Sequence, residues 1–252
     1  MKKMDLAGNS QSLAAYVRQW ARDSLRSRGV LGSGRYLAEQ AWLLFRDSLP
    51  DRRRSRFGDV DYDCDFGVDT TWARLPWSVR LREVFVERLY QPTVPEEFGV
   101  IMQHLARVDF SGFTFIDMGS GKGRALLLAA EYPFLDVVGV EVQRKLHEIA
   151  EGNIERFCEH PVQCRDLRSV CMDARQFEFP PTPLIVYLFN PFPDYALRTV
   201  LDNLEASLKR DPRPAYVIYN APFEQLELTG RTFVRKMVDH PQFVIYTNAG
   251  PA

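Results

Sequence analysis

The sequence predicts an α/β fold with a doubly wound, mostly parallel sheet, a helical N-terminal extension and a C-terminal antiparallel hairpin. Before residue 113, apolar residues recur only at helical spacing. From residue 113 onward, short apolar strands alternate with amphipathic helical segments. The predicted strands span 113–118, 136–141, 168–172, 184–189 and 215–219, the helices span 123–132, 144–157 and 195–208, and the hairpin pairs 232–238 with 243–247.

The N-terminal part of the chain differs from the rest in charge. Residues 1–56 contain twelve Lys and Arg residues but only five Asp and Glu residues. One helix is expected to end at Gly29, and a second is expected to run from about Tyr36 to Ser48. The predicted regions are a helical extension at 1–60, a linker with helices at 61–112 and the core domain at 113–252.

Composition and charge argue against several classes of protein. The chain has 252 residues, 46% of them hydrophobic and 26% charged, with a net charge of −1, which is typical of a globular protein. No apolar run is long enough to cross a membrane, and the polar residues after Met1 argue against a secretory signal, so we expect a cytoplasmic protein. No metal site is predicted, because Cys-x-x-Cys spacing is absent and Phe66 stands where a calcium loop needs glycine. A zinc site is the less favoured alternative, and it would use Cys158, His160, Cys164 and Cys171.

A glycine-rich loop follows the first core strand and leads directly into a helix. The segment Asp117-Met118-Gly119-Ser120-Gly121-Lys122-Gly123 places glycines where a ligand can lie against the main chain. A phosphate-binding P-loop is excluded, because Gly123 rather than Ser or Thr follows Lys122. A dinucleotide fingerprint has a different glycine spacing, and the Asp117 carboxylate would repel a pyrophosphate. That carboxylate would instead pair with an ammonium group.

A second acid, Glu141, ends the next predicted strand, 18 residues beyond Gly123. A carboxylate at this strand tip can accept hydrogen bonds from ribose hydroxyls. Two acids at neighbouring strand tips, with glycines between them, predict a binding site for a cationic nucleoside. The alternative is a glycine turn in another kind of α/β protein.

Together, Asp117–Gly123 and Gly139-Val140-Glu141 resemble motif I and the following acidic position of the class I S-adenosylmethionine-dependent methyltransferases. The resemblance covers about residues 90–250, and it implies a Rossmann-like fold with S-adenosyl-L-methionine as cofactor. By position, it implies that Asp117 and the glycine loop hold the methionine part, that Glu141 holds the ribose and that Asp173 accepts from the adenine amine. For Asp173, an exposed loop residue is the alternative. The cofactor-binding residues that the resemblance implies are Asp117, Gly119, Ser120, Gly121, Gly123, Glu141, Val142, Met172, Asp173 and Asn190.

The fourth predicted strand ends in Asn190-Pro191-Phe192-Pro193. This segment resembles the Asn/Asp-Pro-Pro-Tyr/Phe motif of methyltransferases that act on amine nitrogens, although one proline is missing. The resemblance implies that Asn190, Pro191 and Phe192 form the catalytic turn. The Asn190 side-chain carbonyl would accept hydrogens from the amine, and the Phe192 face would stabilise the developing positive charge. The alternative is a proline-containing turn with Phe192 as a core side chain.

Two shorter segments also resemble known methyltransferases. Tyr90-Gln91-Pro92-Thr93 resembles a Tyr-x-Pro element that helps to cover the cofactor in a subset of seven-strand protein lysine methyltransferases. The alternative is a helix-entry turn, and Thr93-Val94-Pro95-Glu96 is predicted to form a capping box. Phe66–Thr70 resembles a segment before the methyltransferase domain in uncharacterised bacterial members.

These observations predict methyl transfer from S-adenosylmethionine to a nitrogen of a protein lysine or another amine. One rival is methylation of a nucleic-acid base, which the basic N-terminal region supports; the alternative for that region is a solvated linker. Another rival is a non-catalytic protein that binds S-adenosylmethionine. The extension at 1–60 is expected to cap the substrate side, with Trp20, Trp42 and Phe45 as apolar anchors. No membrane partner is expected.

Overall fold

The computed structural model describes residues 13–47, 60–71, 91–190, 194–220, 228 and 230–250. The chain forms two compact units. One unit comprises residues 1–65 and 71–92, and the other comprises residues 66–70 and 93–252. Within the described ranges, no helix is long and apolar enough to span a membrane. Residues 48–59 of the predicted extension and residues 72–90 of the predicted linker lie outside the described residues.

The N-terminal unit contains a helical hairpin. Helix α1 spans Leu13–Asp47, but its backbone is not helical at Gly29, where φ is 68° and ψ is −179°. The rings of Trp20 and Tyr36 lie 5.8 Å apart, whereas a straight helix would separate these residues by about 24 Å. The chain therefore turns back at Gly29. The predicted helix end at Gly29 is confirmed, but the second helical segment begins directly after Gly29 rather than near Tyr36.

The predicted apolar anchors of this unit have different environments. Trp20 is half-buried, but Trp42 is 61% exposed, so the prediction that Trp42 is a buried anchor is wrong. The side chain of Phe45 lies outside the described residues. After helix α2 (Val60–Asp65), the Asp63 carboxylate accepts a hydrogen bond from the backbone N–H of Thr71 at 2.9 Å. This bond joins the two points at which the chain leaves the unit and returns to it.

The core unit is built on one sheet of seven strands. The strands are β1 (Thr114–Met118), β2 (Asp136–Glu141), β3 (Asp166–Cys171), β4 (Leu184–Phe189), β5 (Ala215–Asn220), β6 (Arg235–Asp239) and β7 (Phe243–Thr247). Their order in the sheet is β3-β2-β1-β4-β5-β7-β6, with β1 to β5 parallel and β7 antiparallel to both of its neighbours. The order reverses between β1 and β4, and sheets of this kind bind ligands at the carboxyl ends of the strands beside such a switch point.

Helices cover both faces of the sheet. They are α3 (Pro95–Gln103), α4 (Arg124–Ala130), α5 (Arg144–Phe157) and α6 (Asp194–Arg210). On one face, Leu201 and Leu204 of α6 belong to a buried cluster with side chains of β1, β4 and β5. On the other face, the Phe98 ring of α3 lies 5.8 Å from the rings of Phe115 and Tyr187. The predicted doubly wound, mostly parallel fold with a C-terminal hairpin is therefore confirmed.

The predicted capping box at the start of α3 is wrong. Val94 is the N-cap residue, and its side chain makes no capping hydrogen bond. Pro95 takes the first helical position, where its fixed φ suits the helix, so the cap falls one residue after Thr93. The Thr93 hydroxyl is buried and lies 3.1 Å from the Tyr187 hydroxyl.

Candidate functional site

The glycine loop connects β1 to α4 with an unusual backbone conformation. Gly119, Gly121 and Gly123 have φ values of 90°, 55° and 88°, in the left-handed region that favours glycine. The backbone N–H groups of Gly119 and Ser120 both donate to the Val140 carbonyl of β2, at 2.9 and 3.1 Å. The loop is therefore attached to the neighbouring strand. Every second residue of the loop is glycine, so no side chain covers the main chain at those positions.

Glu141 lies at the carboxyl end of β2, beside this loop, and is only 5% exposed. One carboxylate oxygen accepts a hydrogen bond from the Gly121 N–H at 2.9 Å, and the other accepts from the Gln143 N–H at 2.7 Å. A carboxylate has about four acceptor positions in all. A rigidly placed carboxylate of this kind can bind a pair of neighbouring hydroxyl groups.

Asp117 lies one strand away and is also buried, at 4% exposure. Burial, and then the negative charge of Glu141, raises the pKa of Asp117 to about 8. Next to it in the loop, the buried Ser120 hydroxyl has no hydrogen-bond partner within the described part of the chain. A ligand that brings a positive charge and polar atoms would compensate both groups, so the site fits the ammonium and carboxylate of an amino-acid moiety.

Gly139, in β2, is a residue whose role the sequence analysis missed. A Cβ atom at this position would lie 2.5 Å from Leu126 Cδ1 and 2.7 Å from Ser120 Oγ. Only glycine therefore lets the loop and the start of α4 pack this closely over β2. A glycine inside an apolar strand indicates such a close approach, and that was the available signal.

The residues assigned to the adenine end differ from one another in burial and in their hydrogen-bond partners. Val142 is exposed, whereas Met172 is half-buried and packs against the core. The Asp173 carboxylate accepts from the backbone N–H of Arg175 at 2.9 Å and pairs with the Arg175 guanidinium, whose hydrogen bond lowers the pKa of Asp173. Asp173 thus caps the short 3₁₀ turn Ala174–Gln176.

Asn190 lies directly after β4 and is half-buried. Its φ of 44° is in the left-handed region, which costs free energy for a residue with a side chain but is tolerated by asparagine. The Tyr219 hydroxyl donates to the Asn190 side-chain oxygen at 3.2 Å. This hydrogen bond helps to orient the Asn190 amide. Pro191 and Phe192 lie outside the described residues.

A buried hydrogen-bond network lies beside this end of the site, and sequence reasoning missed it. The Tyr187 hydroxyl accepts from the Asn220 amide at 2.9 Å and bonds to Thr93. Tyr187 is the register partner of Asp117, and burial raises the pKa of the Tyr187 hydroxyl. The network therefore connects the segment before α3 with the ends of β4 and β5, near Asp117.

No protein-family model and no curated protein sequence matches this chain. Solved structures match parts of it. A protein from Pyrococcus horikoshii OT3 is 15% identical over 75% of this chain and 99% of its own, with a TM-score of 0.46. An rRNA methylase from Streptococcus thermophilus is 15% identical over 59% of this chain and 93% of its own, with a TM-score of 0.43. TrmN from Thermus thermophilus is 17% identical over 61% of this chain and 48% of its own, with a TM-score of 0.45.

The strand order provides the classification. Five parallel strands in the order 3-2-1-4-5 form a Rossmann-like sheet, and the glycine loop follows its first strand at the switch point. The antiparallel hairpin completes the seven strands beyond β5. The chain therefore has the predicted Rossmann-like sheet with a C-terminal antiparallel hairpin.

Proposed function

We propose that this protein transfers the methyl group of S-adenosylmethionine to a nitrogen acceptor, with a protein lysine or another amine favoured. The observation that carries the proposal is the pair of buried carboxylates, Asp117 and Glu141, on either side of a glycine loop. Burying two negative groups this close is costly without a cation, and the raised pKa of Asp117 reflects that cost. A nucleoside carrying an ammonium group satisfies both acids, whereas a pyrophosphate does not.

The proposed cofactor contacts follow the strand tips. Asp117 and the loop residues Gly119, Ser120, Gly121 and Gly123 hold the amino-acid part, with the Ser120 hydroxyl gaining a partner. Glu141 accepts from the ribose hydroxyls. At the adenine end, the proposed contacts are Val142 and Met172 on the ring faces and Asp173 at the exocyclic amine. Asp173 keeps Arg175 as its neighbour, so its carboxylate would be shared.

The bound cofactor supplies an electrophilic methyl group on a sulfonium. The chain supplies alignment, since an in-line displacement depends on the placement of the nucleophile. The Asn190 side-chain oxygen accepts hydrogen bonds from the acceptor amine and so directs the lone pair of the amine toward the methyl carbon. The Tyr219 hydroxyl orients that oxygen. Phe192 is proposed to stabilise the nitrogen as it gains positive charge, and Pro191 is proposed to belong to the same catalytic segment. Water takes the proton, so no residue acts as an essential base.

A nucleic-acid base is the second candidate acceptor, and one observation in the N-terminal unit favours it. Arg18, Arg22 and Arg26 are exposed and recur every fourth residue along α1, so they share one helix face. Such a face can neutralise successive phosphates. Both candidates retain a nitrogen nucleophile at Asn190. The extension at 1–60 is proposed to restrict access to the acceptor in either case, with 61–112 leading into the methyltransferase domain at 113–252.

Two measurements test the proposed function. Calorimetric titration with S-adenosylhomocysteine should give saturable binding that Asp117→Ala weakens. Incubation with methyl-labelled S-adenosylmethionine and a cell extract, followed by separate protease and nuclease digestion, should place the label on a nitrogen in one fraction. Asn190→Ala is the matched control, because it should retain binding and lose labelling. Binding without labelling in the wild-type protein would favour the non-catalytic rival, and a label on carbon or oxygen would contradict the nitrogen assignment.

A further inference from the structure

A five-residue segment, Phe66–Thr70, belongs to the core unit although the residues on both sides of it belong to the N-terminal unit. We call it the strap. The Asn153 side chain of α5 makes two hydrogen bonds with the backbone of the strap. The Asp69 N–H donates to the Asn153 side-chain oxygen at 2.8 Å, and the Asn153 amide donates to the Asp69 carbonyl at 2.8 Å. The Phe66 ring lies 5.0 Å from the Phe157 ring. The strap is therefore fixed on α5 by both polar and aromatic contacts.

The strap also contacts the glycine loop. Lys122, between Gly121 and Gly123, is 0% exposed, and its ammonium group lies 2.8 Å from the Asp69 carboxylate. The Asn153 amide donates a further hydrogen bond to the Lys122 carbonyl at 2.9 Å. Two residues later in the sequence, the buried Arg124 guanidinium bonds to the Thr70 hydroxyl. The loop is thus fixed through the side chain of Lys122 and through its main-chain carbonyl.

These contacts matter because the loop does not specify its own conformation. Three glycines with positive φ leave the backbone many alternatives, so the loop conformation depends on its neighbours. Val140 and Glu141 hold the loop from the side of β2, whereas the strap holds Lys122. A buried ammonium group is costly without a partner of opposite charge, so the Asp69 carboxylate helps to determine where the Lys122 side chain lies.

We propose that the strap preforms the glycine loop for cofactor binding, and that Asp69 and Lys122 are positioning residues for a ligand that neither side chain touches. This inference rests on the proposed function for the identity of the ligand. Cofactor binding and strap attachment are then linked, and linkage is reciprocal. Loosening the strap weakens cofactor binding, and cofactor binding slows the opening of the strap.

The test compares Lys122→Met, Asp69→Asn and the double variant with the wild-type protein. Lys122→Met removes the ammonium group but keeps a side chain of similar length, and the Asp69 carboxylate that it leaves is 23% exposed and can be hydrated, so the variant should remain folded and its urea midpoint is measured beside its affinity. Amide hydrogen exchange of residues 119–123, without ligand, should nevertheless become faster. Affinity for S-adenosylhomocysteine should fall about tenfold, and the double variant should fall no further than the worse single variant, since both act through one contact. The control Lys236→Met with Asp239→Asn removes an exposed ion pair on β6 and should change neither property.

In the wild-type protein, S-adenosylhomocysteine should also slow exchange of the strap amides. Unchanged loop exchange in Lys122→Met, or an affinity loss that tracks unfolding in all variants, would overturn the positioning role. If Asp69→Asn lowers stability by taking the carboxylate away from the buried Lys122 ammonium, Lys122→Met still decides, because it removes that ammonium. If the wild-type protein does not bind S-adenosylhomocysteine, the proposed function fails, and loop exchange in the ligand-free variants still decides whether the strap holds the loop.

Discussion

The two ends of the candidate site lie at the same edge of one parallel sheet, yet they are held by different means. At β1 and β2, backbone hydrogen bonds and two buried carboxylates shape the glycine loop. At β4 and β5, side chains bond to side chains, as Tyr219 does to Asn190. The first end carries two buried carboxylates, whereas at the second the half-buried Asn190 side chain lies beside neutral, buried side chains. This difference predicts that cofactor affinity and turnover respond to separate sets of substitutions.

The largest expected effect is at the β4 end. Asn190→Ala should lower kcat by roughly 10²–10³, the scale for losing one well-placed polar group in the transition state. Affinity for S-adenosylmethionine should hardly change, because Asn190 is proposed to act on the acceptor. Steady-state kinetics with the acceptor found by methyl labelling, together with calorimetry, would separate the two quantities.

Two further substitutions control for the backbone at this position. Alanine is less tolerant than asparagine of a φ of 44°, so Asn190→Gly removes the side chain without strain and should lose a similar factor in kcat. Asn190→Asp keeps an acceptor and should retain part of the activity. A cofactor affinity that falls as much as kcat in all three variants would contradict the separation of the two ends.

The second effect is at the β2 end. Glu141→Ala should weaken S-adenosylhomocysteine binding by about 2–4 kcal/mol, because it removes acceptors for two hydroxyls and releases the Gly121 N–H. Glu141→Gln keeps one acceptor oxygen and should lose less. Calorimetry measures both. Equal affinities for the wild-type protein and Glu141→Ala would remove Glu141 from the site.

The same contrast explains what could be predicted from the sequence. The β2 end depends on backbone conformation. The sequence predicts it from 25 consecutive residues, which contain glycines at 119, 121 and 123 with an acid on either side. Tyr187, Thr93 and Asn220 meet only in the folded sheet, from positions 94 and 33 residues apart. No local pattern encodes that meeting. The capping-box prediction for Thr93 was wrong because Pro95 begins the helix and Val94 is the N-cap residue, while the Thr93 hydroxyl bonds to the distant Tyr187. The Lys122–Asp69 pair, 53 residues apart, was missed for the same reason.

The third effect concerns pH and Asp117. Below its pKa of about 8, Asp117 is protonated in the free protein and must lose that proton to pair with an ammonium group. Affinity for S-adenosylhomocysteine should therefore rise about tenfold per pH unit between pH 6 and 7, and binding at pH 7 should release close to one proton. Calorimetry in two buffers of different ionisation enthalpy measures this release. Asp117→Asn should release none, and Glu141→Gln should move the dependence to lower pH, because the Glu141 charge contributes to the raised pKa.

The same carboxyl group has a consequence for stability. Its pKa in the folded protein is above its unfolded value of 3.8, so the folded state binds more protons between about pH 4 and 8. The free energy of unfolding should therefore decrease as the pH rises through that window. Asp117→Asn should flatten this decrease in urea titrations at pH 5 and pH 8. Proton release without any pH dependence of stability would place the titrating group elsewhere.

The smallest effect tests whether the β4 end depends on its side-chain pairing. Tyr219→Phe removes the hydrogen bond to the Asn190 oxygen, so it should cost about 1 kcal/mol, or roughly fivefold in kcat. Because the bond orients Asn190 rather than the cofactor, the affinity for S-adenosylmethionine should stay within twofold of the wild-type value, which about 0.4 kcal/mol spans. Tyr246→Phe on β7 is the matched control, since the buried Tyr246 hydroxyl has no partner within the described residues and its loss should leave kcat unchanged. Combining Tyr219→Phe with Asn190→Gly is the decisive step: once Asn190 has no side chain to orient, the Tyr219 substitution should have no further effect on kcat. Additive losses in the double variant would mean that Tyr219 contributes independently of Asn190, and the acceptor end would then need a second explanation for its tyrosine.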